Sequence, residues 1–283
     1  MDQIPPPPPP PVPPEPTPSA GGGFSARGIG DILSEAFELY RANYVVLWQI
    51  VAVVVVPLTI LQYYLTDSAL ALRKTTVKTG FGEITVPTTS PSFGRTVLLL
   101  FIGGLIAALA TQVLTGAIAR AAAGSLVGET LTVISAFEYG LARLWSILLV
   151  GLLVALAVVV GLILLVIPGI IAAVMFSVSL PALVVEGKRG TEAMRRSWDL
   201  VSGYFWHVLG AYIVAFLIAG VVNAMLAALF QGWFLSGLAA AVGSVLTTPF
   251  TALVAMLIYL DVRVRTEGLT EDRLRTDLRA SGA

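Results

Sequence analysis

LWSILLVGLLVALAVVVGLILLVIPGIIAAVMFSVSLPALVV, residues 144–185, is the stretch that decides the fold. It runs for forty-two residues without a charged side chain, closed by Arg143 and Glu186. As one helix at 1.5 Å per residue it would be about 63 Å long, twice the roughly 30 Å of hydrocarbon in a bilayer. Divided at Pro168-Gly169, it becomes two pieces of spanning length. Proline has no amide hydrogen to donate and glycine tolerates positive φ, so the pair suits a turn. The stretch therefore reads as a transmembrane helical hairpin.

The rest of the composition agrees. The 283 residues are 57% hydrophobic and 12% charged, with mean hydropathy +0.88. Soluble domains carry about 25% charged residues, so this is the composition of a multi-pass membrane protein. Seventeen basic and seventeen acidic side chains cancel, which leaves no global field for a nucleic-acid partner. Without cysteine, disulfides, thiolate metal sites and iron–sulfur clusters are excluded. The single histidine, His207, excludes a site built on several histidines. No cofactor is expected.

Three regions follow along the chain. Residues 1–23 hold eleven of the seventeen prolines, all within 5–18, and then Gly21-Gly22-Gly23. Such a leader favours solvated polyproline II and cannot build a core, so it reads as a disordered tail, either a spacer or a docking segment for a protein partner. Residues 24–262 form the transmembrane domain, with spans expected at 44–65, 96–119, 145–166, 169–186, 205–230 and 235–260. Residues 263–283 form a short basic tail. With the N-terminus inside, thirteen of the Lys/Arg residues fall in cytoplasmic segments and four outside, a positive-inside bias that puts both termini in the cytoplasm of a bacterial inner membrane. The outer loop at 66–94 alternates β-branched and polar residues around Gly80-Phe81-Gly82, the pattern of a short hairpin.

The expected fold class is an all-α membrane protein of six transmembrane helices, arranged as three hairpins. A cytoplasmic interfacial amphipathic helix precedes each. Residues 26–42 place Ile29, Ile32, Leu33, Ala36, Phe37 and Tyr40 at helical spacing, with Asp31, Glu35 and Glu38 opposite. Ala36-Phe37-Glu38 recurs as Ala136-Phe137-Glu138 and as Ser197-Trp198-Asp199. Each triplet runs into an aromatic-rich helix start, which suggests triplication. Small residues repeat every fourth position at Gly104, Ala108, Gln112 and Gly116, and again at Ala239, Gly243 and Thr247. Those faces are expected to be buried between helices.

Two further segments, VVEGKRGTEAMRRSWDLVSGYFW at 184–206 and YLDVRVRTEGL at 259–269, resemble the bacterial membrane-domain family named after glycerophosphoryl diester phosphodiesterase. The resemblance spans roughly residues 26–269. Its motif positions here include Glu186, Ser197, Tyr259, Asp261, Arg263, Arg265 and Glu267. It implies an α-helical membrane domain. It does not imply the phosphodiesterase reaction, which in active members belongs to a separate soluble barrel that twenty-three residues after Leu260 cannot supply.

Chemistry at depth is sparse. The spans carry Gln49, Gln62, Gln112, Thr111, Thr115, Ser177, Ser179 and Asn223, residue types that serve as interhelical glue. Ser125 and His207 would make a hydrolase only if they met within hydrogen-bond reach. Lys188, Arg189, Arg195 and Arg196, beside Trp198, are candidates to contact anionic lipid headgroups or a partner, each basic residue contributing about 1 kcal/mol near an acidic leaflet. The reading is a non-enzymatic membrane protein that organises a partner or lipid at the cytoplasmic face. The alternative is a transporter or permease component for a lipid-like or uncharged solute.

Overall fold

In the computed structural model, residues 24–70, 73–79, 82–89, 93–128, 132–230 and 233–282 are described. The expected proline-rich tail at 1–23 lies outside them. Among the described residues, six helical stretches are long and apolar enough to cross a membrane: Ile29–Gln62, Thr96–Leu126, Leu144–Leu164, Val166–Glu186, Phe205–Leu229 and Gly237–Glu267. The helices are α1 (Ile29–Leu70), α2 (Phe93–Leu126), α3 (Val133–Ala142), α4 (Leu144–Leu164), α5 (Val166–Met175), α6 (Ser179–Glu186), α7 (Thr191–Val201), α8 (Phe205–Leu229), α9 (Trp233–Glu267) and α10 (Glu271–Gly282). Between α1 and α2, β1 (Arg73–Thr79) and β2 (Gly82–Thr89) pair antiparallel, with Val77 opposite Ile84.

The long apolar stretch breaks three residues earlier than its Pro-Gly pair suggests. Leu165 is extended, at φ −165° and ψ 153°, and α5 begins at Val166. Pro168 therefore sits in the first turn of α5, where its missing amide hydrogen has no helical partner to lose. The glycines have a different task. A Cβ on Gly161 would lie 2.8 Å from Gly169 Cα, so each glycine lets the other backbone approach where α4 and α5 leave the break.

The returning span is also divided. Residues 176–178 form a turn between α5 and α6, and its amides bond three residues back, Ser177 N to Val174 O and Ser179 N to Phe176 O. Ser197, on α7, supplies the turn with partners. Its hydroxyl donates to Met175 O at 2.7 Å and accepts from Val178 N at 3.3 Å. A buried backbone group left unpaired costs about as much as a lost hydrogen bond, so one serine side chain lets a helix break inside the bundle.

Burial concentrates at one end of the molecule. Every residue of α6 from Ser179 to Val185 is buried, as is the run from Met256 to Arg263 in α9. Helices α2, α4, α7, α9 and α10 all pack on α6. The opposite end, where α4 meets α5 and where chain order puts the β ribbon, is loosely covered: Ile163, Leu164, Leu165 and Ile167 are all exposed, as are Leu152 and Leu156 farther back along α4. We refer to these as the charged end and the ribbon end.

Residues 27–42, called the leader segment below, lie along α9 rather than across it. Arg27 N donates to Asp261 Oδ1 at 2.6 Å, and thirteen residues later Tyr40 Oη donates to Leu246 O at 3.0 Å. The two anchors are similar distances apart on both helices, so residues 29–42 run antiparallel to α9. Ile32 and Ala36 are fully buried there. Asn43 then leaves helical geometry, at φ −125° and ψ 16°, before α1 resumes.

The small-residue faces divide between the two ends. A Cβ on Gly116 would meet Ile147 Cδ1 at 3.0 Å, and one on Gly151 would meet Gln112 Cγ at 2.8 Å. Gly243 lies against the Asn223 side chain, which also donates to Thr247 Oγ1 at 3.4 Å. Gly104, by contrast, is exposed and has open space around its Cα. The expected buried stripe in α2 therefore does not extend to Gly104.

Candidate functional site

The end of α9 reads YLDVRVRTE, and helical spacing sorts its polar residues onto two faces. Tyr259, Arg263 and Glu267 are four apart and share one face, while Asp261 and Arg265 share another. Each face becomes the centre of a buried ionic cluster.

On the first face, the Tyr259 hydroxyl donates to Glu186 Oε1 at 2.7 Å. Arg263 Nη1 donates to Tyr259 Oη at 3.2 Å and to Asp277 Oδ2 at 2.9 Å, and its Nε lies 3.3 Å from Glu267 Oε2. Arg196, from α7, donates from Nε to both Glu186 oxygens at 2.8 Å and from Nη2 to Glu267 Oε1 at 2.6 Å. The cluster thus ties the C-terminus of α6 to α7, α9 and α10. It holds two guanidiniums against three carboxylates, with Arg273 3.9 Å from Glu267 at the rim. Arg263 is almost fully buried, and a charge there is tolerable only because its hydrogen bonds are met. Burial opposes the charged form of Arg196, but Glu186 and then Glu267 outweigh it and hold its pKa above the ordinary value.

On the second face, Asp261 is wholly buried. It accepts from Arg265 Nε at 2.8 Å and from Arg27 N at 2.6 Å, and its Oδ2 lies 3.0 Å from His207 Nε2. Arg265 also donates to Arg27 O, and the Arg27 guanidinium pairs with Glu35. Phe24 and Tyr204 cover the two guanidiniums at 5.4 and 5.7 Å. This cluster fixes the entry of the leader segment to α8 and α9.

A third polar contact joins α3 to α6. The Tyr139 hydroxyl donates to Val184 O at 3.1 Å, with the Arg143 and Arg120 guanidiniums 5.4 and 5.9 Å from its ring. Burial raises its pKa, and the two arginines offset part of that rise. On α10, Ser281 Oγ donates to the same carbonyl at 3.0 Å.

Of the motif residues, Glu186, Tyr259, Arg263 and Glu267 meet in one cluster, while Asp261 and Arg265 belong to the other. Ser197 belongs to neither, serving the α5–α6 turn. Of the residues read as headgroup contacts, Lys188, Arg189, Arg195 and Trp198 are exposed, whereas Arg196 points inward to Glu186 and Glu267. Trp198 rests 5.8 Å from Phe176. Sequence reasoning missed Arg27, His207 and Asp277 as members of the clusters. The resemblance carried by YLDVRVRTEGL marked the α9 residues, and their i, i+4 spacing could have sorted them onto two faces, but nothing in the sequence marked which helix each would face. Ser125 and His207 have separate partners: the Ser125 hydroxyl donates to Ala122 O at 2.8 Å, and His207 contacts Asp261. Among the described residues no three His, Cys, Asp or Glu side chains converge to hold a metal ion.

One groove opens beside the second cluster. Its volume is about 510 Å³, and its walls are the leader segment (Leu33, Phe37, Tyr40), α8 (Ile218, Ala219, Val222) and α9 (Leu246, Phe250). The polar atoms at its lining come from Ser34, Tyr40 and Thr247. Gln112 lies elsewhere, packed against Gly151, whereas Asn223 donates to Ala219 O at 2.8 Å and to Thr247 Oγ1 at 3.4 Å, both in the groove's wall.

Neither a curated protein nor a solved structure matches the chain. A family model does match residues 41–262, a range that takes in Glu186, Arg196, His207, Tyr259 and Asp261 and stops before Arg263, Arg265, Glu267 and Asp277. The chain therefore belongs to the family described as Domain of unknown function (DUF7847).

Proposed function

We propose that this is a non-enzymatic membrane protein that holds anionic lipid headgroups at its charged end, on the cytoplasmic side of a bacterial inner membrane. The observation that carries the reading is how the charges are divided. Arg196, Arg263, Arg265 and Arg27 are committed to internal carboxylates, while Lys188, Arg189 and Arg195 stand exposed around α7 beside Trp198. Basic residues over an exposed tryptophan suit the headgroup layer, where charge and an amphipathic ring are both favoured. In this reading the six spans form three hairpin units, introduced by residues 29–42, α3 and α7. Both termini are cytoplasmic, and the proline-rich leader is free to recruit a protein partner.

Thermal unfolding in detergent with added phosphatidylglycerol or phosphatidylcholine tests it. Phosphatidylglycerol should raise the Tm more, and a Lys188→Gln, Arg189→Gln, Arg195→Gln variant should lose that difference. Equal shifts in the two proteins would contradict the reading. A second reading, a transporter component for a lipid-like solute, is favoured by the apolar groove under the leader segment.

A further inference from the structure

We infer that the groove between the leader segment, α8 and α9 is a binding site for one acyl chain of a membrane phospholipid. The groove is continuous with the apolar surface that faces the bilayer. Phe37 and Ile218 line it and are themselves exposed, and Phe216, Leu217 and Val221 carry the exposed surface onward along α8. Its occupant therefore enters from lipid, not from water.

The walls suit a chain. Aliphatic and aromatic side chains make up nearly all of the lining, and about 510 Å³ falls within the range of sites that enclose small ligands. The few polar atoms are spoken for: Tyr40 Oη donates to Leu246 O, and Thr247 Oγ1 donates to Gly243 O at 2.8 Å. No headgroup is recognised inside. The rim is different, because the leader helix turns Asp31, Ser34, Glu38 and Arg41 outward along the groove's edge. An apolar floor under a rim of both charge signs has the polarity of an amphiphile, chain within and headgroup at the edge.

The leader is held over this space by polar contacts at both ends. Asp261 fixes Arg27 at one end. At the other, Tyr40 meets Leu246, and Trp48 Nε1 donates to Tyr40 Oη at 2.6 Å. Between those anchors Ile32 and Ala36 pack inward, while Leu33, Phe37 and Tyr40 line the open groove. The groove is open along one side, so in a bilayer an acyl chain enters and fills it.

The test uses the full-length chain in vesicles of phosphatidylcholine and phosphatidylglycerol carrying a photoactivatable diazirine in one acyl chain. After illumination, adducts are mapped by mass spectrometry. Adducts should concentrate on residues 33–40, 218–222 and 246–250, several-fold above those on Leu152 and Leu156 of α4, although these two are more exposed than most of the groove. Ala219→Phe, which fills the groove from within, should lower the groove adducts several-fold and leave those on α4 unchanged. Val222→Phe gives the same readout from the next turn of α8, should Ala219→Phe fail to fold. Groove labelling no higher than that of α4, labelling indifferent to both fillings, or crosslinks there to a second copy of the chain would overturn the assignment. A failed headgroup test at Lys188, Arg189 and Arg195 would leave this result untouched, since the groove recognises the chain.

Discussion

Helices α4 and α9 are opposites. Of the six spans, α4 carries the most apolar stretch, yet only 22% of that stretch lies buried inside the protein; the corresponding stretch of α9 is the least apolar and is 61% buried. In water this order would be unstable, because apolar surface would be driven inward. In a bilayer nothing drives leucine away from lipid, and it is the polar and charged groups that must find partners within the protein. Helix α4 therefore spreads Leu152, Leu156, Val159, Val160 and Ile163 outward, while α9 carries Asp261 and Arg263 into the buried charged end. Specific structure comes from the helix with charges to satisfy, and the helix without them contributes length.

The largest expected effect lies on the α9 side. Arg263→Ala removes the buried partner shared by Tyr259, Asp277 and Glu267 and leaves the partly buried Asp277 carboxylate without it. A broken buried ion pair costs about 3–5 kcal/mol, so the variant should unfold at markedly lower temperature in detergent. A loss below about 1 kcal/mol would mean that the cluster is hydrated and contributes as a surface pair does.

Ser197→Ala tests whether one side chain holds the α5–α6 break. It leaves Met175 O and Val178 N without their partner, a loss of about 1–3 kcal/mol, and hydrogen exchange at residues 176–179 should quicken. Unchanged exchange would show that the turn stands without α7.

Tyr139→Phe removes one hydrogen bond to Val184 O and should cost about 1 kcal/mol. Its pH dependence has a definite sign. Burial raises the Tyr139 pKa in the folded protein, so the unfolded chain loses that proton first as pH rises past about 10. Stability should fall with pH through that range, and part of this slope should vanish in the phenylalanine variant. An identical slope in both proteins would assign the alkaline loss to other groups.

The smallest effect belongs to α4. Leu156→Ala trims a side chain that faces lipid and should shift stability by no more than about 0.5 kcal/mol. A loss several times larger would mean that this face is covered by protein, most simply by another copy of the chain.

Much of the fold was legible because the bilayer sets a length. The six spans could be counted from apolar runs of about the required twenty residues, and the charge-free run from Leu144 to Val185 demanded a break. Where it breaks was not legible, because Leu165 is an unremarkable residue made extended by its place between two helices. The turn at 176–178 was hidden for a related reason: its stabilising group, Ser197, lies some twenty residues away. At the site, YLDVRVRTE announced charges at a helix end, but a positive-inside signal and a buried cluster use the same arginines. Arg196 reads as one of four basic residues in a surface run until Glu186 and Glu267 are seen to enclose it. His207 and Arg27 carry no local pattern at all; Asp261 recruits both from more than fifty residues away.

The account depends most on lipid surrounding α4 while the charged end meets water on one side. Because the chain has no cysteine of its own, single cysteines at Thr85, Leu156 and Arg189 can be probed with a membrane-impermeant maleimide in right-side-out vesicles. Thr85→Cys should label at once, Arg189→Cys only after permeabilisation, and Leu156→Cys in neither condition. Labelling of Leu156→Cys from water, or labelling of Thr85→Cys and Arg189→Cys from the same side, would contradict the account.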